Sequence, residues 1–494
     1  MLLESNDVLQ MIYLIQVDYS KDFSCDILPL GILACGSALK KAGYEVELIH
    51  CTQNEIEKNI DKIVNNPPLF VGFSVITGIQ TLHSAIMSKE IKKKIDVPII
   101  WGGIHPSLLP EMCLKEDYID FVVIGEGEET IIELAQKLEG GQPIEDVKGI
   151  GYKKNKGEGL TPRINPKRPF IEDLDQYRVN YDLIDMKSHL LEFKKQDEEY
   201  KRIVAYKSSR GCPFSCGFCY NSEFNNRKWR AFSKEVVLED IEFLKSEYDV
   251  DGIKFYDDNF YVNKSRALEI LNKIGIPAHT EIRIDMIDEG LASDLKKLNH
   301  LELLIGIESG SNRILELINK GYTTSEIKNK VKILAKNDLD VVYSTVLGFP
   351  TETTGEIGKT IDLMLYIHDN HKGANFTAGV YLPYPGSNLY QLAIKGGFSP
   401  PKKTEDWHIL DRWEDKIELP WVDAKYAYLV RNYFYFLRLN IEPLNKWLKF
   451  RLRHRMFLLP YGVEILRYIE NVSQKDTRLA KIIVKLKRSA EKTD

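Results

Sequence analysis

Two long stretches of the chain share one pattern. A short continuous apolar run is followed by a segment whose apolar positions recur every third or fourth residue. The runs read as buried strands and the periodic segments as amphipathic helices. In the first stretch the runs fall at 11–19, 44–50, 70–76, 97–101 and 121–124, and the helical patterns at 30–41, 55–64, 79–94 and 130–138. This alternation predicts an α/β domain over residues 1–145 built on a parallel, doubly wound sheet. Ligands of such sheets lie at the carboxyl ends of the strands.

The second stretch, residues 200–395, has runs at 203–208, 252–256, 277–284, 301–307, 341–347 and 375–382. Six strand–helix units predict a partial (β/α)6 barrel, with its chemistry again at the strands' carboxyl ends. Residues 146–199 are charged and include Asn165-Pro166-Lys167-Arg168-Pro169, which reads as hairpin and linker. Residues 396–494 read as a helical C-terminal region. Asp406-Trp407-His408, Trp413 and Trp421 precede an aromatic segment with Tyr426, Tyr428, Tyr433, Phe434, Tyr435 and Phe436; residues 446–457 are basic and amphipathic.

Composition narrows this picture little: 44% hydrophobic and 28% charged residues are ordinary for a soluble globular protein. No run of 18 apolar residues and no cationic leader with an apolar core is seen, so a cytoplasmic protein is expected. A net charge of −5 does not suggest a nucleic-acid partner. Charge is uneven, however. Residues 425–494 hold 16 Lys/Arg against 6 Asp/Glu, or +10, which leaves −15 for the rest. The bland reading of this tail is a helical cap with a solvated basic face; the others are peripheral contact with an anionic membrane and a docking surface for an acidic protein or peptide.

Seven cysteines are present. Cys25, Cys35, Cys51 and Cys113 are scattered, which argues against a disulfide framework. The other three stand in Ser208-Ser-Arg-Gly-Cys-Pro-Phe-Ser-Cys-Gly-Phe-Cys-Tyr220. Cys212, Cys216 and Cys219 can hold three irons of a [4Fe–4S] cube and leave the fourth open to a small ligand. A structural zinc knuckle is the plain alternative, but such sites close with four ligands, and the next His downstream is His279.

The C-x3-C-x2-C spacing with Phe218 before the last cysteine resembles the radical S-adenosylmethionine (SAM) superfamily signature. Further segments resemble that family's SAM site. Gly306-Ile-Glu-Ser-Gly310 resembles the family segment whose Glu and Ser help hold SAM, which implies Glu308 and Ser309; Asp257-Asp258-Asn259-Phe260 resembles the segment near the methionyl amino group; Gly348-Phe-Pro350 resembles the turn bordering the adenine, where the resemblance also implies Phe218. Arg283, on the same strand as Glu281, is a further candidate. Plain readings stand beside these: Asp257 and Asn259 as helix caps, and Gly348-Phe-Pro350 as a turn.

In the first stretch the dinucleotide fingerprint is missing, since Val17-Asp18-Tyr19-Ser20 stands in its place. Ser74-Val75-Ile76-Thr77-Gly78 after the third strand and Gly102-Gly103 after the fourth resemble the Rossmann-like cobalamin-binding domain of B12 proteins. Gly125-Glu126-Gly127 follows the fifth strand. Small residues there let the backbone approach a corrin. The family's D-x-H-x-x-G motif is absent, so no histidine is expected below cobalt. His105 is the exception to weigh as a cobalt ligand, and is read rather as a loop residue bonding a phosphate, a propionamide or backbone; His50 and His83 are read in the same plain way. A flavodoxin-like domain without cobalamin is the alternative for this segment.

Together the two halves resemble the cobalamin-dependent radical SAM family, which includes BchE-type tetrapyrrole cyclases and C-methylases. The resemblance implies a [4Fe–4S] cluster, SAM and cobalamin as cofactors, an external one-electron reductant, an oxygen-poor setting, and a small-molecule, lipid or peptide substrate. It implies a methyltransferase in which one SAM methylates cobalamin and a second yields a 5′-deoxyadenosyl radical that opens an sp3 carbon to the methyl group. Tyr256, Tyr381 and Tyr384 are candidates for relaying a proton or electron. Alternatives are a BchE-like cyclase without methyl transfer and a cobalamin and iron–sulfur sensor without turnover. An RNA methylthiotransferase fits poorly, because Cys25, Cys35 and Cys51 do not sit where a second cluster needs them.

Overall fold

The computed structural model describes residues 11–18, 27–155, 160–195, 198–298, 300–411, 419–422, 424–437 and 442–455. Tyr19, Ser20, Cys25, Trp413 and the basic stretch past 455 lie outside these, as do the side chains of Tyr428, Tyr435 and Phe436.

Seven strands form the first sheet: β1 (Met11–Asp18), β2 (Glu45–Thr52), β3 (Phe70–Ser74), β4 (Ile99–Gly102), β5 (Phe121–Val123), β6 (Ile150–Asn155) and β7 (Leu160–Ile164). Their order is β2-β1-β3-β4-β5-β6-β7. The first five are parallel, as the continuous apolar runs predict, and helices Leu30–Lys41, Ile56–Asn65, Ile79–Lys94 and Glu128–Glu139 cover the two faces. Separate apolar cores lie on the two sides of the sheet, one around Trp101 and Phe73, the other around Leu134 and Ile100. The sheet runs on past residue 145. The hairpin β6–β7, assigned by sequence to the linker, pairs antiparallel with β5 and buries Ile150. The physical reason is the edge: β5 is three residues long, and the hairpin covers its unpaired backbone.

The second sheet contains β8 (Leu191–Lys195), β9 (Glu198–Tyr206), β12 (Gly252–Phe255), β13 (Ala278–Arg283), β14 (His300–Glu308), β15 (Val341–Leu347) and β16 (Ala374–Val380). Strands β9, β12, β13, β14, β15 and β16 are parallel and lie in chain order, the half-barrel expected from six strand–helix units, while β8 adds antiparallel at the β9 edge. Two short strands, β10 (Ser209–Arg210) and β11 (Arg230–Ala231), pair separately. Capping boxes begin two of the outer helices: Thr323 with Glu326, and Thr353 with Glu356. In the described part of the tail, helix Ala424–Leu437 packs on β16 and helix Glu442–Arg453 on helix Thr354–Asn370.

Residues 405–410 link the two sheets by packing on helix Ile79–Lys94. Trp407 is fully buried there. Its Nε1 donates to Met112 Sδ at 3.0 Å, and its ring meets His105 edge-on at 5.7 Å and Tyr390 at 6.4 Å. Trp407→Ala should cost about 3–5 kcal/mol of stability, read as a lower denaturation midpoint. A midpoint within 0.5 kcal/mol of the parent, or about that, would contradict this role for the joint.

Candidate active site between the two sheets

The cysteine loop, residues 211–229, leaves the end of β10 and returns through β11. Its base is fixed by side chains from β12's end. Asp257 accepts from the Ser208 amide (2.7 Å), the Ser208 hydroxyl (2.7 Å) and the Ser209 hydroxyl, and Asp258 Oδ2 accepts the Gly211 amide at 2.9 Å. Gly211 sits at φ +84°, and a Cβ there would run into the Lys228 carbonyl oxygen. Only glycine suits such a turn. Further along, the loop rests on residues 318–319. The Gly217 amide donates to Ile318 O at 2.8 Å, and Asn319 Nδ2 donates to Ser215 O and Oγ.

All three motif cysteines line one cavity of about 900 Å3. Burial raises the Cys212 thiol above its ordinary value and pushes Cys219 up to about 12. Thiols of this kind deprotonate on binding metal. Arg283 Nη1 lies 3.1 Å from Cys216 Sγ and offers positive charge to a thiolate. Arg283 is itself held by Asp285, by Lys320 O and by the face of Phe214 at 3.9 Å. Among the described residues, no group of three His, Cys, Asp or Glu is arranged to hold a single metal ion. Three cysteines around an open space fit the corners of a cluster, with Arg283 beside one of them.

Glu308 shows how the strand end is shaped for this cavity. The β14–β15 register shifts between Gly306 and Glu308, and Glu308 takes the left-handed φ of +59°. Such bulges and left-handed residues re-aim side chains at a strain cost of order 1–3 kcal/mol. The strain is held by Lys320, whose Nζ lies 2.8 Å from Glu308 Oε1, both side chains being at least 90% buried. A Cβ at Gly306 would press on Glu308 Oε1 at 2.5 Å. Lys320 also stands 5.3 Å from the Phe218 ring, which packs on Phe349 at 5.8 Å. Lys320 is a site residue that sequence reading missed, because it belongs to no motif and is brought in only by the fold.

The first domain supplies the opposite wall. Ser74, Ile76, Gly102, Gly103, Gly125, Glu126 and Gly127 line the same cavity. Gly103 lies at φ +96°, and a Cβ there would press on Val75 N and O at 2.9 Å. At Gly125, φ +84°, a Cβ would point into open space. Ser107 ties these two loops together: its hydroxyl donates to Gly103 O at 2.6 Å and accepts the Gly125 amide at 2.9 Å. A wall of small residues and bare backbone fits the close approach of a corrin.

Several expected contacts fall elsewhere. His105 is fully buried and off the cavity, with Nδ1 3.0 Å from Thr77 Oγ1; burial holds its imidazole well below its ordinary pKa, to about 3. Its bond is to a neighbouring loop. Thr77, as its partner, and Gly78, which faces Asp411, are also off the cavity. Ser309 is buried against Thr360, and Gly348 donates its amide to Glu352. Asp257 borders the cavity, but its oxygens are taken by Ser208 and Ser209. Glu126 also borders it, but its carboxylate is engaged by Arg210, Arg230 and the Ile171 amide. His50 pairs with Asp18 at 2.7 Å and with His189 at 2.8 Å, and His83 is buried. Of the three tyrosines, Tyr256 borders the cavity, while Tyr381 is buried against Phe349 and Tyr384 donates to Leu410 O.

Comparison with known proteins matches both domains. Residues 206–364 match the model of the Radical SAM superfamily and residues 21–135 that of the B12 binding domain. The chain is 33% identical over 377 residues to an uncharacterised methyltransferase of Pyrococcus horikoshii, covering 74% of this chain and 78% of the relative. It is 26% identical to the anaerobic magnesium-protoporphyrin IX monomethyl ester cyclase of Rubrivivax gelatinosus, covering 74% and 66%. Its fold is similar to that of the radical SAM methyltransferase TsrM from Kitasatospora setae, solved with cobalamin and a [4Fe–4S] cluster (TM-score 0.60, 15% identity, 85% and 81% of the two chains).

At the turn after β15, burial pushes the Glu352 carboxyl up to about 7. Oε2 accepts the Gly348 amide at 2.6 Å and the Phe349 amide at 3.1 Å, while Oε1 is buried without a partner. The folded protein therefore keeps a proton that the unfolded chain loses near 4.5. This contribution is complete below 4.5 and is lost as pH rises through about 7, by about 3 kcal/mol in all. Glu352→Gln should flatten that limb of the pH–stability curve measured by denaturant; an unchanged slope between pH 5 and 7 or so would contradict it.

Proposed function

The chain belongs to the cobalamin-dependent radical SAM enzymes, and from that premise we propose that it is a methyltransferase acting at an unactivated sp3 carbon of a small-molecule substrate. The observation that carries the reading is the shared cavity, which places the three cysteines opposite the glycine loops of the first domain. When bound, the cluster and SAM supply a radical that removes hydrogen, and cobalamin supplies the methyl group.

The chain's own residues bind, orient and exclude water. Cys212, Cys216 and Cys219 provide three cluster ligands, with Arg283 stabilising charge beside Cys216. Lys320 and Glu308 offer one cation and one anion at the cavity wall, suited to the carboxylate and to the amino or ribose groups of SAM. Phe218 offers a flat apolar face for an adenine. Ser74, Gly102, Gly103 and Gly125 let the backbone approach a corrin. Walls from both domains line the one cavity in which the reactive species would form. An external one-electron reductant is required, and the cysteine usage suits a reducing, cytoplasmic setting.

The similarity to the Rubrivivax cyclase supports a second reading, a cyclisation without methyl transfer. Anaerobic protein loaded with iron and cobalamin, then given [methyl-14C]SAM and a reductant, separates the two. The methyltransferase reading expects label in the protein's corrinoid fraction. Formation of 5′-deoxyadenosine without any label on the corrinoid would favour the cyclase. Cys216→Ala should lose the roughly four irons of the cluster and still bind cobalamin, by iron assay and visible absorbance. Full iron retention would contradict the assignment of that ligand.

A further inference from the structure

Arg210 and Arg230 stand directly opposite one another in the β10–β11 ladder that closes the cysteine loop. Like charges in directly opposed positions destabilise a strand pair, and a ladder of two residues per strand has little else to hold it. The compensating charge comes from the other domain. Glu126 Oε1 lies 3.0 Å from Arg210 Nη1 and 2.9 Å from Arg230 Nη1, and Glu126 Oε2 lies 2.8 Å from Arg230 Nη1. Glu128 adds a 2.5 Å contact to Arg210 Nη2. Side-chain exposures are 5% for Arg230, 9% for Glu126, 3% for Glu128 and 17% for Arg210. Charges this deep are tolerated only when paired, so each domain leaves an uncompensated cluster without the other.

The cluster also touches both sides of the site. Arg210 precedes Gly211-Cys212, and Glu126 lies between Gly125 and Gly127, whose loop Ser107 binds to Gly103. A continuous path therefore runs from the glycine wall to the first cysteine.

We propose that Arg210, Arg230, Glu126 and Glu128 form a positioning clamp through which the first domain closes the base of the cysteine loop, so that cobalamin binding and cluster-loop order strengthen one another. The proposal rests on the reading of the glycine wall as the cobalamin site. By linkage the coupling is reciprocal, and couplings of this kind range over about 5–150-fold in affinity.

The test uses the full chain under anaerobic conditions, with hydroxocobalamin as the probe. Its dissociation constant is measured on iron-free and on cluster-loaded protein, and amide hydrogen exchange of residues 211–229 is followed in the iron-free protein with and without the probe. In the wild type, the cluster should tighten the probe by about fivefold or more, and the probe should slow exchange in the loop. Arg230→Gln, which removes a clamp member that does not line the cavity, should bind both cofactors with this linkage reduced to near unity. Arg230→Lys, whose ammonium can stand in for the one nitrogen, Nη1, that Arg230 places on Glu126, should retain part of it. Exchange in the wild type that ignores the probe overturns the clamp, as does full linkage in Arg230→Gln. Should Arg230→Gln fail to fold, the wild-type exchange result decides alone. A wild type that does not bind the probe in either state overturns the proposed function beneath the clamp, which is a different result from binding without linkage.

Discussion

Glu126, in the loop after β5, ends between the two arginines of the β10–β11 ladder, and this contact ties the first domain to the base of the cysteine loop. The carboxylate is held below its ordinary pKa: hydrogen bonding and charge from Arg230 and Arg210 outweigh the opposing effect of burial. Removing one partner of a buried ion pair typically costs about 3–5 kcal/mol, because the other is left without compensation. Domains joined by modest interfaces move relative to one another by default. Here the moving parts would be the two walls of a single cavity, so a fixed ionic contact at its rim, backed by Trp407 at a second point, serves the chemistry as much as the fold.

Strain concentrates on the barrel side of that cavity. Glu308 holds a left-handed backbone beside a register shift, Gly211 turns where no side chain fits, and Lys320 is buried against Glu308. Each feature aims a group at the space in front of the cysteines. On the other wall the same end is reached by omission, with glycines and Ser74 leaving backbone bare. Ser107 and Asp258 fix the loops on which these groups stand.

Most of the architecture was legible in the chain. Helix Leu30–Lys41 and strand Val341–Leu347 fall where the apolar pattern places them, because each buries a consistent face or run, and helix Ile79–Lys94 falls in its expected place although its buried side includes Gln80, Thr81, His83, Ser84 and Ser88. Hairpin β6–β7 was not legible as part of the first sheet, since Lys153, Lys154 and Arg163 mask a strand whose task is to cover an edge. The cysteines, Phe218, Glu308 and the glycine wall were legible as motifs and Arg283 as a candidate on its strand, and the fold gathers them at one cavity. Motifs do not report which way a carboxylate points. Asp257 and Glu126 match cofactor segments in sequence, but long-range partners, Ser208 and Arg230, occupy their oxygens. Lys320 went unseen for the converse reason, as its role comes entirely from a neighbour twelve residues away.

The central claim is that both cofactor sites open on one cavity. Electron paramagnetic resonance of protein loaded with cob(II)alamin and the reduced cluster tests it most directly. The account predicts that the cob(II)alamin signal is broadened or split by the cluster and relaxes faster than in cluster-free protein. A doubly loaded sample whose spectrum is the plain sum of its two separate signals, with unchanged relaxation, would contradict it.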